Sequence, residues 1–222
     1  MSAKSRTFWR RNSLSLVFLS FFIIAIAAQA FTGWKQYNQQ LVEENAKEIS
    51  FSAYLTSGHF ISATFENFES EFLQMTLYVL LTISLRQIGS AESKSLDKKE
   101  EVDRKPQVSP NAPWPVKKGG WVLKLYSNSL SIAFAILFLA SWVIHLFGSW
   151  RDQNAENLIK HQPLVSLGSF LTEPRFWFET FQNWQSEFLS VLGIVFLSIY
   201  LRQKGSPESK PVDAPHLETG KG

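Results

Sequence analysis

The chain has no cysteine. That excludes disulfides, thiolate nucleophiles and cysteine-built metal sites, and it leaves cysteine usage silent about the compartment. There is no phosphate-binding glycine loop, no zinc-protease histidine pair and no serine elbow; the Gly119-Gly120 pair stands in a polar stretch. The chain therefore reads as non-enzymatic, with no cofactor expected. A continuous basic stripe is also missing. The net charge of +3 comes from lysines and arginines that flank apolar runs, a topology pattern that points away from nucleic acid as a partner.

What the chain does have is apolar residues in long blocks. Mean hydropathy is near zero, −0.05, because charged connecting segments dilute those blocks, so the windows have to be read one by one. Leu14 to Trp34 carries no charge over about 20 residues, enough at 1.5 Å per residue to cross a hydrocarbon core of roughly 30 Å. Leu130 to Trp150 reads the same way. Two shorter charge-free runs, Phe72 to Leu85 and Phe188 to Leu201, span only about 21 Å as helix. To cross, they must recruit the aromatic and carboxylate residues before them, which draws Glu71 and Glu187 to the outer interface.

The second half of the chain repeats the first. One ungapped offset carries Asn12-Ser13-Leu14-Ser15 onto Asn128-Ser129-Leu130-Ser131 and Trp34 and Asn38 onto Trp150 and Asn154. The same offset carries Phe65-Glu66-Asn67-Phe68-Glu69-Ser70-Glu71-Phe72-Leu73 onto Phe181-Gln182-Asn183-Trp184-Gln185-Ser186-Glu187-Phe188-Leu189. It also carries Leu85-Arg86-Gln87 and Gly89-Ser90 onto Leu201-Arg202-Gln203 and Gly205-Ser206. A register that never slips dictates a duplicated architecture.

The expected fold is all-α: an integral membrane protein with four transmembrane helices from two parallel two-helix repeats, and further helix in the outer loops. The first repeat is residues 1–94, with spans at about 14–34 and 67–86. A flexible cytoplasmic linker of 95–120 follows, then a second repeat of 121–204 with spans at about 128–150 and 183–202, and a disordered cytoplasmic tail of 205–222. Lys4, Arg6, Arg10 and Arg11, the lysine-rich linker, and Arg202, Lys204 and Lys210 place both termini and the linker in the cytoplasm by the positive-inside rule. The proline-rich linker and tail have too little apolar surface to fold alone. Ala28-Gln29-Ala30 after a basic and apolar stretch also fits a cleaved signal peptide. The apolar run continues to Trp34, however, and its repeat partner is internal, so a spanning helix is the preferred reading.

Depth counting singles out one polar constellation per half. From Arg86, Glu71 lies about 22 Å up the second helix, and from Asn12, Gln29 lies about 25 Å up the first. The same count sets Glu187 against His145, the repeat partner of Gln29. Asn67 and Asn183 precede the glutamates by four residues, on the same helical faces. The candidate intramembrane site is thus Gln29, Asn67, Glu71, His145, Asn183 and Glu187. Polar side chains commonly fasten helices, and that reading leads over a proton or cation path. His59 and His161 lack a second ligand at metal spacing, so no metal site is expected. Arg86 and Arg202 are expected to snorkel to cytoplasmic headgroups.

The repeated Phe-Glu/Gln-Asn-aromatic-Glu/Gln-Ser-Glu-Phe-Leu block and the Gly-Ser-x-Glu-Ser-Lys ends resemble those of an uncharacterised bacterial membrane-protein family, a domain of unknown function. Tyr54-Leu55, His59-Phe60, Ala214-Pro215-His216 and Thr219-Gly220 belong to the same likeness. The resemblance covers nearly the whole chain and implies a multi-pass protein of the bacterial inner (plasma) membrane, but no activity. The expected role is structural or interactive in the envelope, the helices forming a compact bundle. Its partners would be the lipid bilayer and either a second copy or another membrane protein. The alternative is a small proton or cation transporter or channel using Glu71 and Glu187. Against it, the helices lack paired glycine or proline breaks.

Overall fold

The computed structural model describes residues 3–220, with side chains from Phe8 onward. Lys4 and Arg6 of the basic N-terminal flank, and the extreme ends of the expected first repeat and tail, lie outside those side chains. The chain is all-α. Its helices are α1 (Ala3–Glu43), α2 (Phe51–Tyr54), α3 (Gly58–Ser84), α4 (Trp114–Lys118), α5 (Gly120–Ser127), α6 (Ser129–Ile159), α7 (Leu167–Phe170) and α8 (Pro174–Tyr200). A 3₁₀ turn at Glu101–Asp103 precedes α4.

Two helices are long and apolar enough to cross a membrane: α1 over Phe8–Glu43 and α6 over Ser129–Ile159. Almost none of their most apolar windows is buried, 6% and 17% respectively. Side chains such as Phe18, Ile24, Leu130 and Ile136 stand exposed. Helices α3 and α8 begin earlier than their apolar runs, at Gly58 and at Pro174. Proline suits that first-turn place because the backbone N–H it lacks would have no intrahelical partner there.

The chain divides into two compact units. One contains residues 3–64 and 146–171, the other 65–145 and 172–220. In the first unit, Trp34 Nε1 donates to Ile49 O at 2.8 Å, and Asn38 both donates to Ile49 O and accepts from Ile49 N, each at 2.9 Å. Trp150 and Asn154 hold Val165 in the same three-bond pattern. The clasped strands of chain then start α2 and α7, where Ser50 Oγ and Ser166 Oγ accept from Ala53 N and Ser169 N as N-caps. Asn45 and His161 take left-handed φ of 57° and 53°, and close α1 and α6 by the bonds Ala46 N to Leu41 O and Gln162 N to Asn157 O.

Close backbone approach in this unit depends on two glycines. A Cβ on Gly58 would lie 2.4 Å from Asp152 N, and one on Gly148 would lie 2.7 Å from Ser62 N. Nearby, Tyr54 is 1% exposed, packs against Tyr37 and Phe60, and its hydroxyl lies 3.1 Å from His59 Nδ1. Burial, aided by the negative charge of Asp152, pushes the Tyr54 phenol up to about 12.

In the second unit, α3 and α8 end on arginine caps. One Arg86 terminal nitrogen donates to the carbonyls of Thr82, Ile83 and Leu85. Arg202 does the same to Ser198, Ile199 and Leu201 and adds a bond to Ala214 O. The guanidinium groups therefore satisfy terminal carbonyls of their own helices.

The tail also differs from its compositional reading as disordered. Lys210 is 2% exposed and its ammonium donates to Pro215, His216 and Glu218 carbonyls. Gly89 N donates to Thr219 Oγ1 and Gly220 N to Ser90 O. Turn hydrogen bonds and small polar side chains order this segment without an apolar core.

Candidate functional site

The second unit contains a buried histidine surrounded by carboxylates. His145 on α6 is fully buried, as is Glu69 on α3. His145 Nδ1 lies 3.0 Å from Glu69 Oε2, its Nε2 lies 3.3 Å from Glu179 Oε2 on α8, and Glu66 Oε2 lies 3.9 Å from the same nitrogen. Arg175 Nε donates to the other Glu179 oxygen at 2.9 Å, one turn along α8. Phe176, itself fully buried, covers the imidazole with ring centroids 5.1 Å apart, and Trp142 packs edge-on against Phe176. Glu69 Oε1 and Thr180 Oγ1 are buried with no hydrogen-bond partner among the described residues.

The helical repeat explains why these residues meet. Glu66 and Glu69 are three apart and share a face of α3, while Glu71 lies roughly 200° round the helix from Glu69. Arg175 and Glu179 are four apart on α8, so the guanidinium reaches the carboxylate along one face.

The six residues expected to form the site do not come together as one constellation. Gln29 donates to Ala63 O at 3.3 Å and to Thr64 Oγ1 at 3.5 Å, rather than to Glu71. His145 takes Glu69, Glu179 and Glu66 as partners in place of Glu187. Glu71 and Glu187 instead lie within hydrogen-bond reach of each other. Ser70 Oγ donates to Glu187 Oε1 at 3.5 Å, and Gln74 Nε2 donates to Glu187 O and Ser190 Oγ. Asn67 is exposed and its carbonyl accepts from Ser70 Oγ; Asn183 Nδ2 donates to Glu179 O. Rise along a helix sets groups at one depth without setting them on one face, so Glu71 and Glu187 miss Gln29 and His145. Glu69 lies within about one residue of the height expected for a partner of His145.

Glu66, Glu69, Arg175 and Glu179 were not singled out from the sequence, although a signal was present. Under the repeat offset, Glu66 and Glu69 fall on Gln182 and Gln185, Glu179 falls on Ala63, and His145 falls on Gln29. At all four pairs the ionisable member is the one that joins the cluster. Departures from repeat identity were therefore the informative positions.

Chemically, the cluster can hold a protonated imidazolium between carboxylates, or it can hold a cation. Glu66, His145 and Glu179 each offer one ligand atom, and these atoms lie within 4.8 Å of one another. None of the curated proteins and none of the solved structures compared matches the chain. One family profile matches residues 5–221, nearly the whole length. The chain thus belongs to the family described as domain of unknown function (DUF6766).

Proposed function

We propose that the chain is a multi-pass protein of the bacterial inner membrane, with α1, α3, α6 and α8 spanning as two parallel two-helix repeats and both termini cytoplasmic. Its role is structural or interactive in the envelope rather than enzymatic, with lipid and either a second copy or another membrane protein as partners. The observation that carries this reading is an inside-out distribution of polarity. Among the described residues, sixteen polar or charged residues are buried against eight apolar ones. Leu80, Ile83, Leu189 and Phe196 on α3 and α8 are exposed along with the apolar faces of α1 and α6. A water-soluble fold reverses those proportions, whereas lipid accepts an apolar exterior and rewards polar contacts made inside. The matching clasps at Trp34, Asn38 and Ile49 and at Trp150, Asn154 and Val165 support the duplication.

Fastening of the helices by polar side chains is tested by unfolding in detergent. Gln74→Ala removes the bonds from α3 to Glu187 O and Ser190 Oγ on α8, and stability should fall by about 1–2 kcal/mol. An unchanged unfolding midpoint would count against fastening. The second reading is a proton or cation path through Glu71 and Glu187, supported by the contact between those two carboxyl groups. Flux into proteoliposomes decides it: the fastening role expects none. A wild-type flux abolished by Glu71→Gln with Glu187→Gln would replace that role with transport, and a flux the pair of substitutions leaves intact would exclude this pair as the path.

A further inference from the structure

We infer that Glu66, His145 and Glu179 are the ligands of a divalent transition-metal ion of the manganese-to-zinc range, with Glu69 as the residue that positions His145. The inference rests on the second unit alone and does not depend on how the chain sits in a membrane.

The first ground is convergence. An ion with ligands at about 2.0–2.1 Å in tetrahedral geometry holds those atoms about 3.4 Å from one another. His145 Nε2 is 3.3 Å from Glu179 Oε2 and 3.9 Å from Glu66 Oε2. The second ground is the arrangement behind the ring. Glu69 Oε2 lies 3.0 Å from Nδ1, and in the tautomer with its hydrogen on Nδ1, which that carboxylate accepts, the Nε2 lone pair is directed toward the other two carboxylates, where a metal ion would sit. A carboxylate on the far nitrogen is the usual support of a metal-bound histidine.

Charge is the third ground. Three carboxylates converge on the imidazole, and a divalent ion among them offsets more negative charge than a proton on the ring would. Glu69 is fully buried and its Oε1 has no donor among the described residues, so positive charge across the ring is the compensation within its reach. Access is the fourth. The side chains of Glu66 and Glu179 are 23% and 19% exposed, while His145 and Glu69 are closed. The ligand side therefore opens outward and the supporting side does not. One imidazole nitrogen with two carboxylate oxygens and no sulfur selects manganese-to-zinc ions over Cu(I), and the imidazole disfavours calcium and magnesium.

The test is metal uptake by the full chain purified in detergent, by titration calorimetry with Zn²⁺ and Mn²⁺ and elemental analysis after desalting. One of the two ions should bind at one per chain. Glu66→Gln with Glu179→Gln should lose it by at least about 100-fold, and Glu69→Gln should weaken it by about 10–100-fold with stoichiometry kept. Glu71→Gln, outside the ligand set, should bind as wild type. Zinc-edge X-ray absorption on the wild-type chain needs no variant and should give a nitrogen and oxygen shell containing one imidazole. The proposal is overturned if wild-type chain takes up neither ion, if uptake survives the double substitution in folded protein, or if the edge spectrum lacks an imidazole. An ion pair only, with His145 protonated and no metal, is the first of those results.

Discussion

Glu69 is held by one hydrogen bond from His145, in a pocket closed to solvent. Removing that acceptor leaves the buried Nδ1–H of His145 unsatisfied, which typically costs about 1–3 kcal/mol. Glu69→Ala should therefore lower stability in detergent by about 2 kcal/mol. Glu69→Gln, which keeps an acceptor for Nδ1–H, should lose less. Equal losses for the two would assign the effect to the lost negative charge rather than to the bond. Lys210 raises the opposite question, that of a cation enclosed by carbonyls. Burial, and then the neighbouring charge of Arg202, holds its ammonium below the ordinary lysine value, with Glu218 opposing. On raising the pH, the folded chain gives up this proton first, while the unfolded chain keeps it to about 10.4. Between the lowered value and the ordinary one the unfolded state binds more protons, so stability rises with pH across that window. Lys210→Met should remove this rise in denaturant titrations from pH 8 to 11. A rise that persists in the variant would belong to another group.

At the scale of helices and connections, two kinds of glycine separate cleanly. Gly58 and Gly148 sit where a methyl group would strike backbone of the facing helix, but nothing lies near a Cβ on Gly193. Gly148→Ala should cost about 1–3 kcal/mol through overpacking. Gly193→Ala should be neutral or stabilising by up to about 1 kcal/mol, the helix-propensity difference. Detergent unfolding of both variants checks this, and a harmless Gly148→Ala would refute the close approach. The glycine contact was not legible in the sequence, where Gly58 and Gly148 sit in unremarkable surroundings and Gly58 has proline at its repeat position. The long helices were better marked, since charge-free runs at Leu14 to Trp34 and Leu130 to Trp150 announce α1 and α6. The starts of α3 and α8 were obscured by their aromatic and carboxylate first halves, where charge masks a helical pattern from a hydropathy window. His145 stood out as an ionisable group in an apolar run. Its partners did not, because a sequence gives height along each helix but not which faces meet, and an error of two residues turns a side chain by roughly 200°.

For the molecule as a whole, the account turns on how many helices cross the bilayer. Among the described residues hydropathy marks α1 and α6 alone, and a two-span protein would leave α3 and α8 on the surface with Leu80, Ile83, Leu189 and Phe196 facing water. In the four-span arrangement those side chains face lipid, and the polar contacts among α3, α6 and α8 lie inside. The cysteine-free sequence allows single cysteines to be introduced without background. Lys47→Cys in the first outer loop and Lys98→Cys in the linker bracket α3, and Gln162→Cys and Lys204→Cys bracket α8. The most direct measurement labels these four variants in intact cells with a membrane-impermeant maleimide. The account predicts labelling of Lys47→Cys and Gln162→Cys from outside, and of Lys98→Cys and Lys204→Cys only after the membrane is opened. Labelling of Lys47→Cys and Lys98→Cys from the same side would mean that α3 does not cross, and would contradict the four-span account.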